Sequence, residues 1–440
     1  MSRVRVAIMI AAALSAGGCG ILKKGKPKTP TLGERIPVLT TELDVVVDDA
    51  TAALPMELPA ATANTEWAQS GGNAAKSMGH LALGKDLGEA FRVSIGEGSN
   101  LKARLASSPV IADGRIYTID TAATVRAFDA ATGRQVWATQ FGTEKGNSAS
   151  LFGGGVAFAG GRIFATNGLG FAAALDAGNG GIVWQVRPGG PLRGQPTIAG
   201  ENVYIMSQDN QLYSLKATDG TQNWSNAASL EIAGVFGSAA PAFSQGTVVA
   251  GFSSGELNAY RYENGRLVWQ DQLARTSITT SVSSLSDIDA DPVIDGGQVI
   301  AVGQGGRMVA LELISGQRMW ELNVAGISTP WVAGEWIFVV TDDAKLIAVA
   351  RRTGKVRWIN QLPRFQKEKS KKGQLSYAGP VLAGGRLIVA GSNGTLINVD
   401  PVTGSFQSQT NVGADIRLQP IVANSTLYVL DEDGRLHAYR

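Results

Sequence analysis

Short apolar runs alternate with turn-forming Gly, Asn and Asp along most of the chain, and within the runs apolar positions recur every second residue. VIADGRIYTID (110–120) and VLAGGRLIVAG (381–391) show the pattern, with Val, Ile and Tyr alternating on either side of an Asp-Gly or Gly-Gly turn. Period-2 patterning split by such a turn predicts a β-hairpin. A further apolar run follows each hairpin, with a small residue at its centre: Ala127, Ala174, Ser214, Ala259, Ala310 and Ala348, then Asn398 and Ala438. Next comes a glycine with tryptophan four residues beyond, in Gly133/Trp137, Gly180/Trp184, Gly220/Trp224, Gly265/Trp269, Gly316/Trp320 and Gly354/Trp358. Gly404 keeps the phase a seventh time, but Ser408 stands in the tryptophan position.

The Trp-to-Trp intervals of 47, 40, 45, 51 and 38 residues indicate a fixed unit separated by loops of varying length. Eight units open on a short strand, at Pro109, Val156, Pro196, Pro241, Pro292, Pro330, Pro380 and Pro420. Four strands in each of eight units predict an all-β fold, an eight-bladed β-propeller over residues 67–440. The last unit, 418–440, stops after its third strand; GEAFRVSIG (88–96) supplies the fourth and puts Phe91 near the tryptophan position. Closure by this N-terminal strand removes the open sheet edges of a linear array. In this reading the six tryptophans are structural. Each offers a flat apolar face to the next blade, and the glycine takes the positive φ of the turn.

The first residues carry a different signal. Arg3 and Arg5 precede the apolar run VAIMIAAALSAGG, which ends in small residues before Cys19. The run is short for a spanning helix and reads as a signal peptide over residues 1–18. The only cysteine of the chain lies at the expected cleavage point, so Cys19 is expected to carry a lipid and hold the body at a membrane surface. Ala16 departs from the Leu usual three residues before a lipidated cysteine. Residues 19–66 read as a tether and extended arm: Lys23, Lys24, Lys26 and Lys28 stand with Pro27 and Pro30, and ATAALPMELPAATAN (50–64) has no clear period.

Composition narrows the chemistry. The 55 glycines lie singly between apolar runs, as many tight turns require. A net charge of +2, from 39 basic and 37 acidic residues, gives no large electrostatic footprint for nucleic acid. Two histidines and one cysteine leave little material for a metal site or disulfide framework. His437 in LHAY sits in phase with Tyr213, Asn258 and Ile347, an ordinary repeat position.

The unit in its best copies, A-x-D-x-x-T-G-x-x-x-W, resembles the PQQ-type repeat shared by quinoprotein dehydrogenases and the BamB family, lipoproteins of the outer-membrane β-barrel assembly machinery. The dehydrogenase resemblance implies a vicinal cysteine pair, a calcium held by Glu, Asn and Asp, and an Asp base. The lone cysteine rules out the pair, no cluster with that spacing stands out, and no cofactor is expected. A PQQ-dependent dehydrogenase or periplasmic redox partner is the alternative reading. NTEWAQSGGNAAKSMGH (64–80), FRVSIGEGSNLKARLASSPVIADGRIY (91–117) and SLSDIDADPVI (284–294) are similar to segments of the BamB family.

That resemblance implies a non-enzymatic scaffold, lipid-anchored on the periplasmic face of the outer membrane. It would bind BamA through a POTRA domain and aid insertion of β-barrel proteins, with nascent outer-membrane proteins as further partners. Carried onto this chain, the family's acidic contact loop matches Asp287 and Asp289, expected to pair with a basic patch on the partner. A second contact segment, with leucines followed by Arg, falls on LEIAGVFGSAAP (230–241), where Val235 and Phe236 replace the Leu and Arg. Separately, QLPRFQKEKSKKGQLSY (361–377) lengthens one blade junction; Lys367, Lys369, Lys371 and Lys372 make it a solvated loop or a contact for headgroups or an acidic partner.

Overall fold

The computed structural model describes residues 45–143, 152–230, 237, 239–273 and 286–440. The alternating segments pair into eight antiparallel four-stranded sheets, the predicted blades. Blade one runs outward through Val110–Ala112, Arg115–Ile119, Thr124–Asp129 and Gln135–Gln140, and blades two to seven repeat that order. Blade eight takes Ile421–Ala423, Thr426–Leu430 and Arg435–Tyr439 from the C-terminal end and Glu89–Ser94 from the other. Arg92 lies opposite His437 and Val93 opposite Leu436, so the first strand closes the ring as expected. His437 is buried at this seam, with Nε2 at 2.9 Å from Asp431 Oδ2.

Register explains the small residue of each unit. Ala127 lies opposite Trp137, Ala174 opposite Trp184 and Ala259 opposite Trp269. In the seventh blade both partners change together: Asn398 faces Ser408 and donates from Nδ2 to its Oγ at 3.0 Å. Each tryptophan then reaches the following blade. Trp137 Nε1 donates to Ala177 O at 3.0 Å, Trp269 to Leu313 O at 2.8 Å and Trp358 to Pro401 O at 3.0 Å. Its ring covers the next unit's glycine. Gly180 has φ +78°, and a Cβ there would lie 2.6 Å from the Trp137 ring, so backbone conformation and ring contact both select glycine. Phe91 covers Gly133 in the same way, an added Cβ being 2.6 Å from its ring. Ser408 has no ring to offer, and the strand Phe406–Asn411 is exposed at every residue.

Residues 64–84 run once around the inside of the ring and touch every blade in angular order. Asn64 Nδ2 donates to Val422 O of blade eight at 2.6 Å. Trp67 exchanges two backbone bonds with Ile111 of blade one, at 2.8 and 2.9 Å, and Ala68 O accepts from Phe158 N of blade two at 2.7 Å. The Gln69 amide substitutes for backbone on blade three, accepting from Ile198 N at 2.9 Å and donating to Ile198 O at 3.3 Å. Ala74 O and Ala75 O accept from Phe243 N of blade four and Ile294 N of blade five, each at 2.8 Å. Gly79 O accepts from Trp331 Nε1 of blade six at 2.7 Å, and Leu81 N donates to Leu382 O of blade seven at 3.0 Å. The lace fills the central channel: Trp67, 1% exposed, stacks on Trp331 with ring centroids 6.2 Å apart.

Trp67→Ala removes the largest apolar group of the lace and leaves a void between facing blades. The expected cost is about 3–5 kcal/mol, read as a lower midpoint of thermal or denaturant unfolding. A midpoint close to wild type would show the lace to be dispensable for the ring.

Candidate partner-binding face

The described parts of the connections leading from outermost strands to the next blade's innermost strand gather on one face. They surround a funnel of about 370 Å³ whose lining includes Arg104, Gln195, Asp289, Thr329, Tyr377 and Arg417. Trp67, Ser70 and Gly71 of the lace also line it, so the funnel is blind rather than a pore.

Asp287 and Asp289 lie on this side, and their expected outward presentation is corrected. Both are buried, at 0% and 8% exposure. The local alternation of SDIDADP holds this segment against the body: Ile288 and Ala290 enter the apolar cores of neighbouring blades, and the aspartates that alternate with them are buried too. Arg193 meets them there. Its Nη2 lies 2.8 Å from Asp289 Oδ1 and 3.8 Å from Asp287 Oδ1, while Nη1 donates to Ser253 Oγ at 2.7 Å. Arg193 Nε donates to Gly237 O at 3.1 Å. Gly237 is pressed so closely against Asp289 that an added Cβ would fall 1.2 Å from its Oδ1.

Two further buried groups, Asp291 and Lys76, join the lace to the same face. Asp291 accepts from Ser70 Oγ and from Ala240 N, the latter at 2.7 Å. Lys76 Nζ donates to Thr197 Oγ1 at 3.0 Å. Burial pulls the Lys76 ammonium down to about 8, with Asp291 opposing. Burial raises the Asp291 carboxyl, opposed by Lys76. Asp289 is pushed up to about 7, chiefly by burial; Arg193 opposes the rise, and Asp287 and Asp342 add to it. One cation among two buried carboxylates leaves the Arg193 cluster with an excess of negative charge when both ionise.

The structure therefore brings Asp287 and Asp289 together, with Arg193 as their internal partner. Val235 and Phe236 lie outside the described residues, as does Cys19. Trp137, Trp184, Trp224, Trp269, Trp320 and Trp358 are each 8% exposed at blade contacts. Arg193 was not among the residues singled out from sequence, yet it carried a signal. It stands three residues before Pro196, as Asp289 stands three before Pro292, so opposite charges occupy one repeat position. The lace had no such periodic signal. Among the described residues, no group of three or more His, Cys, Asp and Glu side chains is arranged to hold a metal ion.

The raised Asp289 carboxyl sets a pH dependence. A folded-state pKa above the unfolded one means that the folded chain binds the proton more tightly, so this group's contribution to stability is lost as pH rises through about 7. Asp289→Asn cannot ionise, and should gain on the wild type by about 1 kcal/mol or more between pH 5 and pH 8. Parallel unfolding curves at the two pH values check this; a stability gap that does not move with pH would contradict it.

A family model described as "Outer membrane protein assembly factor BamB" matches residues 70–150, 121–360 and 365–440. The outer membrane protein assembly factor BamB of Yersinia pestis is 27% identical over 329 residues, 74% of this chain and 81% of that protein. Its counterpart from Escherichia coli K12 is 27% identical over 356 residues, 79% of this chain and 88% of that protein. Among solved structures, BamB from Moraxella catarrhalis superposes with TM-score 0.68 at 18% identity, covering 81% of this chain and all 100% of that one. A europium-containing methanol dehydrogenase superposes with TM-score 0.66 at 14% identity, over 83% of this chain and 89% of that one, a likeness of fold alone. With the family model covering nearly the whole propeller, the chain belongs to the BamB family of outer-membrane protein assembly factors.

Proposed function

We propose that this chain is a non-enzymatic scaffold of the outer-membrane β-barrel assembly complex, held by a lipid on Cys19 at the periplasmic face of the membrane. It binds BamA at a POTRA domain and aids the assembly and insertion of β-barrel proteins. The observation that carries this reading is the family match across residues 70–440. The blind funnel supports it: with the lace through the centre, a client chain is not threaded along the axis, so partners meet loops and edges.

The contact residues of the proposal are Val235 and Phe236, with Asp287 and Asp289 acting indirectly. Buried carboxylates do not meet a partner's basic patch directly. They hold Arg193, which fixes the carbonyl of Gly237, the residue directly after Phe236. This division separates contact from support. Apolar side chains at a partner surface gain from desolvation, while the ionic cluster fixes the backbone at Gly237.

The test is affinity purification of the tagged chain from detergent-extracted membranes. Stoichiometric recovery of a β-barrel protein bearing POTRA domains is expected. Val235→Asp combined with Phe236→Asp should lower that recovery at least about tenfold, as loss of an interface hot spot does, with the unfolding midpoint unchanged. Failure to recover any such barrel, together with a quinone absorbance band on the purified chain, would replace the scaffold by the redox reading. Normal recovery with the double variant would remove Val235 and Phe236 from the contact surface.

A further inference from the structure

The insertion between blades six and seven is a built arm. Phe365–Lys367 and Lys372–Gln374 pair as a two-stranded antiparallel ribbon, with Phe365 opposite Gln374 and Lys367 opposite Lys372. Its base is anchored: Leu362, Leu375 and Tyr377 are buried, the Tyr377 hydroxyl donates to Pro363 O at 2.7 Å, and Leu375 N donates to Arg364 O at 2.9 Å. The one acid of the arm, Glu368, turns back on its own backbone, accepting from Arg364 N at 2.7 Å and Phe365 N at 3.0 Å. Lys367, Lys369, Lys371 and Lys372 are all exposed, and none forms an ion pair among the described residues. A paired ribbon thus carries four cations with no apolar residue at its tip.

The same blade edge receives the N-terminal arm. Val47 bridges to Val356, and Asp48 N donates to Val356 O at 2.9 Å, at the start of the outer strand Val356–Gln361 whose far end leads into the ribbon. Asp48 caps the short helix Asp49–Ala52 and pairs with Lys355 at 3.0 Å, while Arg357 Nη1 donates to Thr51 O at 3.1 Å. The arm leaves apolar side chains in solvent: Val46 is 73% exposed, Val47 40% and Leu54 51%. One strand, about 20 Å long at most, therefore separates exposed aliphatic residues from a cluster of lysines.

We propose that this edge of blade six faces the membrane, with the four lysines binding anionic phospholipid headgroups and the exposed valines and leucine lying toward the interface. The chemistry favours lipid over an acidic protein. Lysine is depleted in protein interfaces, where its entropy and hydration cost most, whereas clustered lysines beside exposed aliphatic residues suit a headgroup layer. The first described residue after the expected anchor, Val45, also packs at this blade, against the apolar core that Val356 shares. The inference rests on the membrane-attached reading above and adds the orientation of the propeller.

The test uses residues 19–440 with Cys19→Ser, so that no acyl chain contributes, and vesicles of phosphatidylcholine with or without phosphatidylglycerol. Co-sedimentation should require phosphatidylglycerol and weaken with salt. Replacing Lys367, Lys369, Lys371 and Lys372 by Ser should lower vesicle partition on the order of 100-fold. Replacing Lys23, Lys24, Lys26 and Lys28 instead should leave phosphatidylglycerol-dependent binding that the ribbon variant lacks. Unchanged partition of the ribbon variant overturns the proposal. So does loss of the barrel partner from detergent extracts with unchanged vesicle binding, which would make the ribbon a protein contact. Intact vesicle binding with no barrel partner recovered would instead count against the scaffold reading and leave this one standing.

Discussion

A ring of eight sheets leaves eight innermost strands with their free edges turned toward one another. Each inner edge carries N–H and C=O groups that must find partners once the channel is too narrow for bulk water. The lace 64–84 answers this constraint. It supplies carbonyls to Phe158, Phe243 and Ile294, a full two-bond exchange to Ile111, and a side-chain amide at Ile198 where its backbone turns away. Because one short segment bonds to all eight blades, it fixes their spacing around the axis as well as capping their edges. The buried Lys76 follows from the same geometry: a chain lining the channel takes polar groups with it, and its ammonium donates to Thr197 Oγ1 at 3.0 Å.

Around the periphery the corresponding device is the tryptophan and the next blade's glycine. The two are mutually selective: a ring needs a surface without Cβ, and the turn needs positive φ. The pair is also tied inward to the small residue across the strand, which is why Asn398 and Ser408 depart together in blade seven. Phe91 shows that the rule survives a change of chain segment. It comes from the opposite end of the sequence and still covers Gly133.

These periodic features were legible because eight copies of one solution reinforce a weak local pattern. Blade number, strand order and closure by 88–96 follow from phase alone. The lace was not legible, because it meets each blade through backbone atoms or a single side chain and so repeats nothing in sequence. The burial of Asp287 and Asp289 is hidden in the sequence for a related reason. SDIDADP reads as an acidic loop when only its charges are counted, but Ile288 and Ala290 alternate with them and claim the apolar side. Arg193 lay in plain view three residues before Pro196, and only superposition of the repeat phases pairs it with Asp289 across an intervening blade.

Function in this fold is carried by departures from the repeat. Where every unit agrees, the residues serve blade packing and are interchangeable among copies. Where one copy differs, the difference has a cost that packing does not repay. The Arg193 cluster confines an excess of carboxylates beside Gly237, a burial that hydrophobic residues of similar size would match or better in stability alone. An ionic solution kept at a loop junction is best understood as fixing one backbone position on the funnel face. The ribbon of blade six departs in the opposite sense, holding its cations in solvent on a paired stem, with its one acid bonded to its own backbone. Buried charge at the face fixes a loop's position, and exposed charge at the edge carries the orientation we propose for the body, on a ring whose repeats are occupied with holding themselves together.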